Sequence, residues 1–105
     1  MNLDQLQDNA QLAVNLLKRM AHCDRLLILC HLTQGELSAG ELARRSLLSQ
    51  SAFSQHLAIL RRDQLVLTRK QAQTVYYSLA SNEVLQILLT LKQIFCHEEN
   101  LNESN

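Results

Sequence analysis

The sequence predicts a mainly α-helical domain with one small β-hairpin, and three observations lead to this fold class. The chain has 105 residues, of which 47% are hydrophobic, which suits a single packed core. It has no proline and only two glycines, whereas an all-β sandwich needs many turn-forming residues. Apolar residues recur at helical spacing through most of the chain, and one stretch is instead rich in β-forming residues.

The first predicted helix carries a long apolar stripe. Asn2 and Gln5 have the spacing of a capping box at its start. The stripe consists of Leu3, Leu6, Ala10, Ala13, Leu17 and Met20. Because Val14 and Leu16 are apolar outside this stripe, we expect the helix to bury two faces.

Two shorter helices are predicted next. The second helix spans about residues 22–34 and stops at Gly35, in the role that glycine has after a helix C-terminus. The third spans about residues 39–46, and Ser38 with Glu41 forms a capping box at its start.

The fourth helix is predicted over about residues 50–63, with Ser49 as its cap. Leu48 and Phe53 have the spacing of a hydrophobic staple across this cap. The inward stripe is Phe53, Leu57 and Leu60, and the outward face is Gln50, Ser51, Ser54 and Gln55. A short helix, a tight link and a second helix with a polar outer face predict a helix-turn-helix.

The β-forming stretch follows this motif directly. Residues 65–68 and 74–79 are expected to pair as a hairpin with a basic, polar tip at residues 69–73. A basic hairpin in this place makes a winged helix-turn-helix, with the element order α-α-α-α-β-β-α. Ser81 is expected to cap a last helix that runs to about His97. The predicted domain is residues 1–97, followed by a polar tail of residues 98–105.

The first and last helices carry more apolar surface than one small core covers. We therefore expect a homodimer formed through these two helices.

The charge distribution favours a nucleic-acid partner. The net charge of the chain is zero, yet residues 40–75 contain six basic and two acidic residues. The alternative is an ordinary solvated surface.

Polar side chains on the fourth helix have the chemistry for reading DNA. The glutamines and serines of its outer face suit base edges, and His56, one step round, would contact phosphate or pack. Phosphate contacts are expected from the basic side chains Arg61, Arg62, Arg69 and Lys70. Gln71 and Gln73 on the hairpin complete the expected DNA-binding set.

These residues resemble a known family. Residues 48–57 (LSQSAFSQHL) followed by 60–66 (LRRDQLV) resemble the helix-turn-helix signature of the ArsR/SmtB family of bacterial transcriptional regulators. Residues 69–77 (RKQAQTVYY) resemble the wing of its HlyU, BigR and SqrR branch. Gln64 replaces the glycine that the family usually has there, which predicts a slightly different turn. The resemblance implies a homodimeric regulator that binds a palindromic operator in double-stranded DNA.

The chain has three cysteines, Cys23, Cys30 and Cys96. The resemblance implies that Cys30 and Cys96 match the dithiol switch of this branch, which oxidants or reactive sulfur species convert to a disulfide or a polysulfide link. From the residues alone, cysteines that merely pack in the core remain an alternative, and the regulator would then act by competing with another DNA-binding protein. Cys23 lies outside this pair, as an incidental or a competing thiol.

No metal site and no cofactor are expected. The third helix has no cysteine of the kind that metal-sensing members of the family carry there, and His22, Cys23, Cys30 and His31 show no recognisable ligand spacing. A metal-responsive repressor is therefore only an alternative.

Enzymatic and membrane functions are not expected either. The sequence shows no Ser-His-Asp or Cys-His-Asn set and no glycine-rich phosphate loop. No targeting segment is visible, and the longest apolar run, residues 26–30, is too short to span a bilayer. A cytoplasmic protein without a membrane partner is expected.

Overall fold

A computed structural model describes residues 2–96 and confirms the predicted fold class. The helices are α1 (Leu3–Met20), α2 (Cys23–His31), α3 (Ala39–Arg45), α4 (Gln50–Arg62) and α5 (Asn82–Cys96). The strands are β1 (Leu37–Ser38), β2 (Val66–Gln71) and β3 (Thr74–Leu79), and they form one antiparallel sheet in the order β1-β3-β2. His97 and the predicted tail, residues 98–105, lie outside the described residues, so the boundary between domain and tail stays a prediction.

Side-chain caps begin the helices at the predicted residues. Four polar side chains each accept a hydrogen bond from the backbone N–H three residues later: Asn2, Ser38, Ser49 and Ser81. At α1 and α3, the side chains of Gln5 and Glu41 accept a hydrogen bond from the backbone N–H of the cap residue, which completes both capping boxes. These bonds satisfy N–H groups that have no partner within a helix, so local sequence fixes where the helices start.

The second helix and the sheet differ from the predictions. The α-helix ends at His31, and a 3₁₀ turn over Leu32–Gln34 continues to Gly35, which has a φ of 138°. The strand β1 was not predicted, and it adds Leu37 and Ser38 to the edge of β3. Two residues are too few to show a period in a sequence, so only tertiary pairing identifies this strand.

The prediction of a hairpin tip at residues 69–73 is wrong. The antiparallel ladder continues to the pair Gln71–Thr74, which leaves Ala72 and Gln73 as a two-residue turn. Arg69 and Lys70 therefore lie on β2, opposite Tyr76 and Val75. Pairing with a β-forming partner strand overrides the polar character of these residues.

The core lies between α2, α3, α4, α5 and β2. Its fully buried large side chains are Leu29, Leu42, Leu60, Leu65 and Leu88. The helix α1 contributes Met20 as its buried residue, with Leu16 packed partly against the core. The expectation that this helix buries two faces is therefore wrong for the protomer, because its apolar stripe extends past the core.

Large apolar side chains remain exposed on the first and last helices. On α1 they are Leu3, Leu6, Leu12, Val14 and Leu17, and on α5 they are Leu89, Ile94 and Phe95. Surfaces of this kind are typical of association faces, and the homodimer stays a prediction.

Gln64 occupies the residue position after the C-cap of α4 with a φ of 60°. Its N–H donates to the Arg61 carbonyl at 3.1 Å, and the N–H of Leu65 donates to the Leu60 carbonyl at 2.9 Å. These two bonds make a Schellman motif, in which the left-handed position favours glycine. The structure therefore shows glutamine in a glycine-type conformation rather than a differently built turn.

Candidate nucleic-acid interface

The outer face of α4 carries the polar side chains that the sequence analysis selected. Phe53, Leu57 and Leu60 turn into the core and fix the rotation of the helix. This rotation leaves the predicted base-reading side chains exposed: Gln50, Ser51, Ser54 and Gln55. They lie in the first half of α4, near the end where unpaired N–H groups and the helix dipole favour negative charge.

A groove runs between α3 and α4 beside β3. Gly40, Ala43 and Ala58 line it with small side chains and keep it open. Ser54 and Arg61 lie in the same wall of the groove. Hydrogen-bonding and cationic groups thus share one concave surface of the helix-turn-helix.

The predicted phosphate-binding residues differ in how free they are. Arg61, Arg62 and Lys70 are exposed. The Nε of Arg62 lies 3.2 Å from a carboxylate oxygen of its neighbour Asp63. Because the Arg62 side chain is exposed, the pair contributes little to stability and Arg62 remains available to an anion.

Arg69 is held more firmly than its neighbours. Its Nη2 donates to Oε1 of Glu36 at 2.7 Å, and its Nε donates to Oε2 at 3.1 Å. Its Nη1 donates to Gln71 at 2.7 Å, and the guanidinium lies 4.4 Å from the centre of the Tyr76 ring. The hydrogen bond from Arg69 holds the pKa of Glu36 below its usual range. Sequence reasoning missed this pair because its members are 33 residues apart.

His56 turns away from the exposed face of α4. Its side chain is mostly buried, and its ring lies 4.7 Å from the ring of His22. Its Nε2 lies 3.8 Å from Oδ2 of Asp24. Of the two roles considered for His56, this position corresponds to packing, against the start of α2. Sequence reasoning did not connect these three residues, and the half-inward position of His56 on the helix was the one available signal.

The tip of the wing presents one further glutamine. Gln73 is exposed in the two-residue turn, whereas the side chain of Gln71 accepts the bond from Arg69. Ala72, the first residue of the turn, has a φ of 54°.

Two of the three cysteines lie close enough to affect each other. Cys30 is half-buried near the end of α2, and Cys96 is exposed at the end of α5. Burial raises the pKa of the Cys30 thiol, the charge of Lys92 opposes this shift, and Cys96 adds to it. The exposed Cys23 begins α2, about 10 Å along the helix axis from Cys30.

Lys92 is fixed beside Cys30 by a short chain of hydrogen bonds. Its Nζ donates to the Thr33 hydroxyl at 3.0 Å, and that hydroxyl donates to the Cys30 carbonyl at 2.8 Å. A positive charge is thus held next to Cys30.

Comparison with known proteins agrees with this geometry. The family described as bacterial regulatory protein, arsR family, matches residues 23–67. The transcriptional activator HlyU of Vibrio cholerae is 56% identical over 96 residues, which cover 91% of this chain and 89% of the relative. Among the described residues, no helix has the length and apolarity needed to cross a membrane.

Solved structures show the same fold. The crystal structure of the transcriptional regulator HlyU from Vibrio vulnificus aligns with a TM-score of 0.85 at 56% identity, covering 91% of this chain and 100% of the other. That of the transcriptional repressor BigR from Xylella fastidiosa aligns with a TM-score of 0.81 at 34% identity, covering 91% and 98%. These relatives are regulators rather than enzymes, as expected for this chain. The chain belongs to the ArsR family of bacterial regulatory proteins, in the branch that contains HlyU and BigR, and is a winged helix-turn-helix, DNA-binding transcriptional regulator.

Proposed function

We propose that this regulator is a homodimer whose affinity for a palindromic operator is switched by oxidation or by reactive sulfur at Cys30 and Cys96. The observation that supports the proposal is the placement of the half-buried Cys30 near the end of α2 and of the exposed Cys96 at the end of α5, where Cys96 adds to the rise of the Cys30 pKa. A covalent link between them would tie the DNA-binding half of the fold to a helix of the expected dimer face.

The two thiols have different exposure, which suggests an order of reaction. Cys96 is exposed and meets the oxidant first, and the half-buried Cys30 then resolves the product. With hydrogen peroxide, the first thiol becomes a sulfenic acid and releases one water. The second thiol attacks its sulfur, a disulfide forms, and a second water leaves.

With polysulfide, each thiolate takes one sulfane sulfur to become a persulfide, and the shortened polysulfide leaves. Two neighbouring persulfides then condense to a trisulfide and release hydrogen sulfide. The extra sulfur lengthens the link, so the two signals give products of different mass.

The link acts on DNA binding through the dimer. Half-sites lie about one helical turn of DNA apart, so a small rotation of each protomer moves the two α4 helices out of register. We propose that the linked form binds the operator more weakly.

The DNA contacts divide into two groups. Gln50, Ser51, Ser54 and Gln55 are proposed to read base edges, because they are exposed at the start of α4. Arg61, Arg62 and Lys70 are proposed to bind phosphates.

Further DNA contacts are proposed around the wing. Gln73 is exposed at its tip and can reach the duplex directly. Arg69 contributes once it is released from Glu36, and Gln71 accompanies it through their hydrogen bond. His56 supports α4 from behind by packing against the start of α2.

The test compares chemistry and DNA affinity on the same sample. The reduced protein, the peroxide-treated protein and the polysulfide-treated protein are each analysed by non-reducing peptide mass spectrometry and by operator titration at one salt concentration. We expect a Cys30–Cys96 linked peptide together with at least tenfold weaker binding. After treatment, the C30S and C96S variants should keep the affinity that the chemically reduced protein has for the operator.

Cys23→Ser is the matched control, because it removes an exposed thiol outside the pair. It should respond like the unaltered chain. A link without any change in affinity, or unlinked cysteines after treatment, would reject the switch. That outcome would favour a regulator with inert cysteines that competes with another DNA-binding protein.

A further inference from the structure

Two histidines and one aspartate meet where the start of α2 packs against α4. His22 is the N-cap residue of α2, Asp24 lies in its first turn, and His56 is in the middle of α4. One ligand atom from each residue lies within 4.8 Å of the other two. We propose that this cluster, the α2–α4 triad, binds one divalent cation of the zinc class.

His56 has unused hydrogen-bonding capacity in this place. Its Nε2 is 3.8 Å from the Asp24 carboxylate, which is too far for a hydrogen bond. Its Nδ1 is buried, and within residues 2–96 it has no partner. Because the two ring nitrogens point in different directions, a cation beside Asp24 would bind Nε2 and leave the ring proton on the buried Nδ1.

The separation between the ligand atoms suits a shared metal ion. Two ligands of a tetrahedral zinc site lie about 3.4 Å apart, because each bond is roughly 2.0–2.1 Å long. The gap between His56 and Asp24 is a few tenths of an ångström wider than this. The separations to His22 are at most 4.8 Å, so side-chain rotations would bring the three ligand atoms around one ion.

His22 is available because its present bond is weak. Its Nδ1 accepts the Asp24 N–H at 3.3 Å, which caps α2. A metal on Nδ1 would take the lone pair that accepts this bond, whereas a metal on Nε2 would move the ring proton to Nδ1. By either route the cation exchanges a long capping bond for a coordination bond.

The ligand set favours zinc, cobalt and nickel over magnesium and calcium. Two imidazole nitrogens and one carboxylate oxygen leave a fourth position for water, whereas magnesium and calcium prefer six or more oxygens. Among the described residues, no cysteine belongs to the triad. The site is therefore distinct from the cysteine pair, which lies at the opposite end of α2.

Binding at the triad would fasten α4 to α2. His56 belongs to the helix that presents the polar DNA-facing side chains, while His22 and Asp24 belong to the helix packed behind it. A ligand that binds the folded but not the unfolded chain raises its thermal stability. Cation binding can therefore be followed by the melting temperature, without DNA.

The experiment titrates cobalt into the metal-free, full-length C30S/C96S variant, in which the cysteine pair cannot compete. We expect one cobalt per chain, with the visible absorption of a four-coordinate ion and without a sulfur-to-cobalt band in the near ultraviolet. Zinc should displace the cobalt and raise the melting temperature.

Two variants test the ligands independently. Asp24→Asn removes the carboxylate, and His22→Asn removes an imidazole while keeping an N-cap acceptor for α2. Each should weaken cobalt binding at least tenfold and abolish the zinc-induced rise in melting temperature. His31→Gln is the matched control, because it removes a histidine from the same helix outside the triad, and it should bind like the parent.

Circular dichroism establishes that each variant is folded before titration. The proposal would be overturned if no cobalt binds, or if Asp24→Asn and His22→Asn bind cobalt as tightly as the parent does. A sulfur-to-cobalt band from Cys23 that persists in both variants would overturn it as well.

Discussion

Arg69 and Glu36 form a two-pronged ion pair that joins the wing to the segment just before β1, with N···O distances of 2.7 and 3.1 Å. The guanidinium that would bind a DNA phosphate is thus already occupied by a carboxylate. If Arg69 binds a phosphate as proposed, it has to leave this partner, so Glu36 would compete with the phosphate backbone.

Glu36→Ala should strengthen DNA binding at low salt. The substitution releases Arg69, and each additional phosphate contact steepens the slope of log affinity against log salt by about 0.9. A salt series of operator titrations measures this slope.

Two further variants interpret the Glu36→Ala result. Glu83→Ala removes the same charge from an exposed residue in the first turn of α5 and should leave the slope unchanged. In the Arg69→Ala background, Glu36→Ala should have no effect on the slope. If Glu36→Ala binds DNA more weakly, the Glu36–Arg69 pair stabilises the wing rather than keeping Arg69 from DNA.

The reactivity of Cys30 should respond in opposite directions to its two neighbours. Lys92 lowers the pKa of Cys30 and Cys96 raises it. The thiolate is the reactive form, so Lys92→Met should shift the pH profile of Cys30 alkylation to higher pH, and Cys96→Ser should shift it to lower pH. Peptide-resolved alkylation rates between pH 6 and 10 measure both shifts.

Lys18→Met serves as the control for the alkylation series, because Lys18 lies on α1 and does not contribute to the shift at Cys30. Shifts of the same sign in Lys92→Met and Cys96→Ser would contradict the electrostatic account.

Gln64→Gly should stabilise the chain. A non-glycine residue in the left-handed conformation costs about 1 kcal/mol, and the greater freedom of glycine in the unfolded chain returns part of this. We expect a net gain of about 0.5 kcal/mol, seen as a small rise in the midpoint of chemical unfolding. Gln64→Ala keeps the strained φ and should show no gain, so equal stabilisation by both variants would reject the explanation.

The apolar stripe of α1 should be required for association. Leu6→Glu introduces a charge on this stripe and should convert the dimer to monomers at micromolar concentration, as measured by analytical ultracentrifugation. Leu47→Glu places the same charge at an exposed leucine between α3 and α4 and should leave the dimer intact. Dissociation by Leu47→Glu alone would move the association face away from α1.

Base reading and phosphate binding should separate experimentally. Ser54→Ala with Gln55→Ala should lower the preference for the operator over unrelated DNA while keeping the salt slope. Lys70→Ala should weaken binding to both DNAs alike and reduce the slope by about one unit. Titrations on operator and unrelated DNA decide between these patterns. If both changes have identical effects, the residues do not separate into a base-reading and a phosphate-binding group.

Local sequence signals predicted the helix starts and the outer face of α4. Ser38 and Ser49 cap through bonds to residues three positions away, so their signals lie within a single turn. The face of α4 follows from helical spacing, because Phe53, Leu57 and Leu60 can turn inward together only if Ser54 and Gln55 turn outward.

Contacts between distant segments were not predictable in this way. The Glu36–Arg69 pair and the approach of His56 to His22 depend on how β1 and α2 pack, and no periodicity encodes that packing. The length of β2 was missed for the same reason, since Arg69 and Lys70 become strand residues through pairing with β3. The apolar surface left on α1 was expected from the sequence, but how little of this helix the protomer core covers was not, because an apolar stripe indicates burial without saying against which chain.

Ser38 pairs with Tyr76 of the wing, and its hydroxyl also caps α3. A single residue therefore joins the edge of the sheet to the helix in front of α4, and we expect the wing and the helix-turn-helix to move together. A unit of this kind would keep a fixed spacing between the side chains that contact neighbouring DNA grooves. Any bending that binding requires would then have to come from the duplex, and we expect sequences that bend easily to be favoured at base pairs that no side chain touches.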